Sequence, residues 1–420
     1  MFAEFQKIYL LEVLLMQGAS TFIIAVIFVA VNGLTMLAWA AAQGYKMKPT
    51  AFAFLVGAIG NLLTGSITPI SGQSSILTVS HFMKNINERI GALLLAVLVM
   101  IPLGLTGAVT EIASFAGNAV VFGMMAGVGL MVAGISIDML KQAKRTGTIS
   151  FVGALATWVL FQTVFVGNPH ALVYVIAVSV TLATVDFVFI QKDPETGKRG
   201  RRIDIFKVSK DAGYVGDMKE DENPKFWTKA YWEDFKIVKP KFGFAAFYFA
   251  LAFISLNIGT NIAFGNITAG FTSPPGEPPA IAQNMDHLTV INSLADIPSV
   301  IFGGAPVGAI ISATAAAPAP IIAGVAMMLL CALLLLLGLM TKAMKYVPVQ
   351  AIAGFLFIIG FFSTFLPNLR NSALYENGNW AETATAVALT AITKNPFLGL
   401  LGGILIRFIG TYFFGPIFLA

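Results

Sequence analysis

One charged island interrupts a chain that is otherwise apolar almost from end to end, and that pattern leaves few folds open. Residues 192–241 hold 13 of the 26 Lys and Arg and 10 of the 21 Asp and Glu. Across all 420 residues, 57% are hydrophobic and 11% are charged, against about 25% charged in soluble domains. Soluble enzymes, nucleic-acid binders and disordered chains are excluded on that ground. Apolar runs of about 20 residues, the length a helix needs to cross a bilayer, recur on both sides of the island. The reading is an all-α polytopic membrane protein, multi-pass in a cell membrane.

Seven segments are read before the island, at 17–42, 50–69, 71–83, 88–107, 116–140, 149–167 and 169–191. Seven follow it, at 243–264, 287–303, 306–317, 320–340, 347–366, 380–393 and 396–418. The third and tenth are too short to cross as full helices. The expected organisation is a first membrane repeat at 1–191, a charged soluble loop at 192–242 and a second membrane repeat at 243–420. The loop's aromatic end, with Phe226, Trp227, Tyr231, Trp232 and Phe235, is expected to lie as a short amphipathic helix on the membrane surface. Glu4 and Glu12 flank Lys7 and the apolar run that follows is too long for a cleaved leader, so the first segment is expected as a retained span.

Catalytic and metal chemistry find little support. Cys331 is the single cysteine and sits in an apolar run, where it is expected as a small buried hydrophobe. His81, His170 and His287 are scattered. No zinc-protease or nucleophile-elbow motif is present. Neither a metal, a cofactor nor an enzymatic activity is expected.

The halves read as copies of one unit. Thr64-Gly65-Ser66-Ile67-Thr68-Pro69-Ile70-Ser71-Gly72 is matched in the second half by Phe302-Gly303-Gly304-Ala305-Pro306-Val307-Gly308. Gly123 and Gly129 are repeated as Gly354 and Gly360, at nearly the same offset as the two prolines. An odd number of spans per copy makes the copies inverted, a recurring design of secondary transporters. Each proline removes a backbone donor and disfavours helix in the residue before it. After each comes a short polar stretch, Ser71 to Ser75 and Gly308 to Thr314. Helix N-termini opening there would face each other near the membrane centre and present free N–H groups to an electronegative ligand. Gln73, Ser74, Ser75, Ile311, Ser312 and Thr314 are the residues expected to line that site.

Several stretches resemble the nucleobase–cation symporters, also called nucleobase/ascorbate transporters, and their purine-permease branch in particular. They are Gly18-x-x-Thr21-Phe22 with Asn32, Gly123 to Leu130, Ile291-Asn292-Ser293-Leu294-Ala295-Asp296, Phe302 to Val307, and Val347-Pro348-Val349-Gln350-Ala351. The resemblance implies fourteen segments in two inverted repeats of seven. It further implies a core domain moving against a gate domain, an antiparallel strand pair at the third and tenth segments, and a homodimer. Substrate would lie between those two segments and the eighth. The family's usual carboxylates in the eighth and tenth segments are replaced here by Leu256 and Ser312. Asn257, Asn261 and Asn266 remain to read a planar heterocycle through paired donor and acceptor bonds.

Intramembrane charge is costly and points to function. Asp296 is the first candidate for coupling to H+ or Na+, and His287, with its titration near neutral pH, is the second. Asp186 and Asp138 are expected to reach the loop side, and Arg407 to be structural. Lys46, Lys48, Lys84, Arg89, Lys141 to Arg145, the island, Lys342 and Lys345 belong on the cytoplasmic side by the positive-inside rule. The first functional reading is a secondary-active carrier for a purine-like base or a related small polar solute. The second is a carrier or channel of the same fold for an anion such as sulfate, bicarbonate or a carboxylate. Expected partners are the small-molecule substrate, the coupling ion and lipid, with no nucleic acid.

Overall fold

The computed structural model describes residues 17–73, 77, 83, 85–166, 168, 171–192, 197, 199–203, 228–273, 277–374 and 380–414. The first copy contains α1 (Gln17–Ala42), α2 (Met47–Thr64), β1 (Ile70–Gly72), α3 (Ile86–Leu105), α4 (Ala108–Gln142), α5 (Lys144–Thr163) and α6 (Ala171–Ile190). The second contains α7 (Phe244–Gly270), α8 (Met285–Ile301), β2 (Val307–Ala309), α9 (Pro320–Leu336), α10 (Val349–Ser372), α11 (Trp380–Thr393) and α12 (Pro396–Tyr412). Among them, α1 to α4, α6, α7 and α10 are both long and apolar enough to cross a membrane. Local chemistry sets the boundaries. Asn85, Asn284 and Asn395 cap α3, α8 and α12 by accepting from first-turn amides, which satisfies donors that helix geometry leaves orphaned. Gly107 takes a left-handed conformation in the turn before α4. Gly338, at the offset of the repeated glycines, does the same before the short helix that leads into α10.

The two copies are related by a twofold axis. β1 and β2 pair antiparallel with Ser71 opposite Gly308, and these two residues are separated by the same interval as Pro69 and Pro306. Equivalent residues can face each other in an antiparallel ladder only if a dyad runs between them. The glycines repeat the relation. A Cβ placed on Gly129 would lie 2.6 Å from the Gly360 carbonyl, and one on Gly360 would lie 2.8 Å from that of Gly129. Small residues at these crossings let the helix backbones touch, which is how helices associate where lipid removes the hydrophobic drive.

Helices α1, α2, α3, α7, α8 and α9 pack around the strand pair, while α4, α5, α6, α10, α11 and α12 form a second body. This is the core-and-gate division that the resemblance implied. α7 lies between the two bodies. Asn257, Thr260, Asn261 and Thr268 on α7 are all buried, and a Cβ on Gly259 would approach Pro396 of α12 to 2.9 Å.

Two expectations are corrected. Residues 310–312 are not helical and 313–316 form one 3-10 turn, so no helix N-terminus opens after Pro306. Pro318 and Pro320 supply no N–H to continue a helix, and the next one starts only at Pro320. The aromatic end of the loop does not lie loose on lipid. Tyr231 is 2% exposed and donates to the Leu336 carbonyl (2.9 Å). Phe235 packs between Phe52 and Phe302, and Asp234 pairs with Lys48 (2.8 Å). Trp232 is the exposed member, and Phe226 and Trp227 lie outside the described residues.

The basic loops meet at one end of the molecule. Ile203 donates to the Lys345 carbonyl, Lys241 to that of Asn87 and Lys46 to that of Gly303. At the other end Asp286 accepts from the amides of Val109 and Thr110 (3.0 and 3.3 Å).

Candidate functional site

Chain that leaves helical geometry inside a bilayer must find partners for its exposed N–H and C=O groups. Both breaks do so with side chains of the opposite copy. Before Pro69, the amides of Ile67 and Thr68 and the Ser66 hydroxyl all donate to Gln283 Oε1 (3.2, 3.2 and 3.1 Å). Before Pro306, the Ala305 amide donates to Thr50 Oγ1 (2.8 Å). The carbonyls at the same equivalent positions are held from within each copy. Asn61 Nδ2 donates to Thr68 (2.8 Å) and Ser299 Oγ to Ala305 (2.7 Å). Beyond the prolines, Ile310 donates to the Pro69 carbonyl (3.2 Å) and Ser71 Oγ to that of Asn32 (2.6 Å).

Gln73 follows β1 directly and is fully buried. Its Nε2 donates to Thr260 Oγ1 (2.5 Å), and Thr260 in turn donates to the Leu256 carbonyl (2.7 Å). Gln73 Oε1 is shielded from water and makes no hydrogen bond, and the same holds for Asn257 Oδ1 one turn away on α7. Gly308 makes room for this amide, since a Cβ there would sit 2.5 Å from Gln73 Oε1. A buried amide with one edge bonded and one edge open retains the capacity to recognise a ligand.

The remaining candidates divide. Ser312 and Thr314 are buried and bonded to each other through their hydroxyls (3.0 Å), with Thr268 donating to the Ile310 carbonyl beside them (3.2 Å). Ile311 is half-buried and packs apolar. Asn261 is committed to other side chains: its Nδ2 donates to Thr289 Oγ1 (2.9 Å) and its Oδ1 accepts from Asn292 Nδ2 (2.7 Å). Asp296 is buried and accepts from the Val307 amide (2.7 Å), so it anchors the start of β2. His287 is exposed in the first turn of α8, about 13 Å along that helix from Asp296 at 1.5 Å per residue. Ser74 and Ser75 lie outside the described residues, as do His81 and His170.

The other charges have structural tasks. Asp286 caps α4, as above. Asp186 takes a two-pronged bond from Arg145 (2.7 and 3.1 Å) at the loop end, and Asp138 pairs with Lys141 (3.8 Å) in the open. Arg407 donates to the Ala116 carbonyl (3.2 Å) where Gly117, with φ 76°, breaks α4. Cys331 is buried. Sequence reasoning missed Thr260, Gln283, Thr50 and Arg89. Arg89 is buried and donates to the Gln43 carbonyl (2.6 Å). Gln283 carried a usable signal, because it sits beside Asn284, the cap residue of α8, and α8 is the repeat equivalent of α2.

No protein-family model matches this sequence, and no curated protein matches it. Among solved structures, the chain is similar to the transmembrane domain of BicA, a bicarbonate transporter from a cyanobacterium. The similarity covers 88% of this chain and 96% of that one, at 14% identity and a TM-score of 0.41. A likeness at that level says nothing about substrate.

Proposed function

We propose that this protein is a secondary-active carrier of a small, neutral, polar solute of the nucleobase class. On this reading residues 1–191 and 243–420 are the two repeats and 192–242 the loop joining them. Substrate lies between the strand pair and α7, and the core body moves against the gate body. The observation that carries the reading is the pair of open amide edges, Gln73 Oε1 and Asn257 Oδ1, beside a centrally broken and otherwise satisfied backbone. A heterocycle that presents N–H donors along one edge completes such oxygens. Asp296 is the residue for coupling to H+ or Na+, because it holds Val307 and hence the register of β2.

A second reading, an anion carrier, draws on a different observation. Leu256 and Ser312 are both buried at positions where the resembled family has carboxylates, so neither side chain would repel an anion, and Asp296, held by the Val307 amide, is the carboxylate left at the strand pair. Thermal stabilisation of the purified protein separates the two. Adenine, guanine, hypoxanthine, xanthine and uracil are compared with sulfate, bicarbonate and dicarboxylates. Stabilisation by a base that disappears in Asn257→Ala supports the first reading, and stabilisation by anions alone overturns it.

A further inference from the structure

A cleft of about 360 Å³ opens where the start of α1 meets the start of α9. Gly18, Thr21 and Phe22 line it from α1, and Ala319 and Ile322 from α9, with Gln17 at the rim. None of its lining residues is charged. Two sets of unused donors meet there. Thr21 is 3% exposed and its hydroxyl has no partner. Thr50, Thr157 and Thr289, by contrast, bond the carbonyl four residues back, whereas Thr68, Thr184, Thr364 and Thr390 share the unbonded state of Thr21. The equivalent acceptor for Thr21, the Gln17 carbonyl, is taken by Ser20 (3.1 Å). The second set is the first turn of α9, a 17-residue helix whose N-cap residue, Ala319, offers no side-chain cap. Pro320 has no N–H and Ala323 donates to the Ala319 carbonyl (2.9 Å), which leaves the amides of Ile321 and Ile322 without an intrahelical acceptor at the positive end of the helix dipole.

Depth places these donors at a membrane boundary. α1 ends at Ala42, beside the basic loops, and Thr21 lies about 31 Å from that end at 1.5 Å per residue. α9 ends at Leu336 on the same basic side and starts about 25 Å from it. A bilayer's hydrocarbon core is about 30 Å thick, so the donors sit near the opposite headgroup layer. Phe22 and Ile322 on the cleft walls are 53% and 52% exposed.

We propose that this cleft holds one phospholipid in the leaflet opposite the charged loop. Phosphodiester oxygens accept from the Thr21 hydroxyl and from the amides of Ile321 and Ile322. The acyl chains follow Phe22 and Ile322. The test is native mass spectrometry of phospholipid retained by the protein after release from nanodiscs of phosphatidylcholine and phosphatidylglycerol. Thr21→Val keeps the shape and deletes the donor. Gly18→Leu fills the cleft from a position where an added Cβ meets nothing within 4 Å, so the fold survives if the valine variant is unstable. Thr163→Val, at an exposed hydroxyl bonded within its own helix, is the control. Retained phospholipid falls at least about threefold in both cleft variants, the size expected for one hydrogen bond, and is unchanged in the control. Wild-type retention in both cleft variants overturns the proposal. So does displacement of the lipid by inorganic phosphate, which reassigns the donors to a free anion.

Discussion

Gln73 and Gly308 show how closely single residues are matched at the strand pair. The amide occupies the space that glycine leaves, so Gly308→Ala displaces it and breaks the bond to Thr260. The expected cost is about 1–3 kcal/mol of stability, typical of overpacking, with loss of any ligand-induced rise in melting temperature. A thermal shift with and without ligand reads both effects. Thr260→Val leaves Gln73 Nε2 only the long bond to the Ala309 carbonyl (3.5 Å) and should lower stability by about 1 kcal/mol, read by the same melt. Tyr231, outside the spans, gives a pH prediction. Burial lifts its phenol above the ordinary value, and the charge of Asp234 adds to this. Its contribution is therefore complete below about pH 10, the free-chain value, and is lost as pH rises through the higher folded value. Proteolysis of the 228–242 segment should accelerate at alkaline pH, and Tyr231→Phe should shift that onset. Proline, glycine and amide identities were legible from the sequence at this scale. The choice of Thr260 as partner for Gln73 was not, because 187 residues separate them.

At the scale of elements, the breaks at Pro69 and Pro306 are stable because each borrows an acceptor from the other copy. Gln283→Ala leaves the amides of Ile67 and Thr68 and the Ser66 hydroxyl without that acceptor, whereas Thr50→Ala strands only the Ala305 amide. Each orphaned buried amide costs about 1–3 kcal/mol, so Gln283→Ala should lower the melting temperature more. Equal effects would contradict this accounting. Breaks in the third and tenth segments could be read from the prolines and the small residues around them. That the second break continues as a strand and one 3-10 turn could not. The run after Pro306 is rich in alanine and reads as helix until Pro318 and Pro320 are counted against the hydrogen bonds such a helix would need. The same limit explains the aromatic segment, whose amphipathic pattern suits lipid and the ends of α2, α8 and α9 equally well.

For the whole molecule, the dyad and the charge pattern make a joint prediction about sidedness. Lys141 is exposed at the basic end, and Glu277 is exposed in the turn between α7 and α8 at the other. Cysteines placed singly at the two positions should react with a membrane-impermeant thiol reagent from opposite sides of oriented vesicles. Background is low because Cys331 is buried. Labelling of both from one side would refute the arrangement of the copies.

Apolar periodicity, the island of charge and two spaced motifs were sufficient to determine a polytopic bundle of inverted halves, because bilayer thickness sets segment length and duplication leaves equal offsets along the chain. Tertiary structure alone decided which polar groups are satisfied and which stay open. Asn261 is committed to Thr289 and Asn292, whereas Gln73 and Asn257 keep an unbonded oxygen. All three are amides in apolar surroundings. What separates them is the neighbour that packing brings within hydrogen-bond reach.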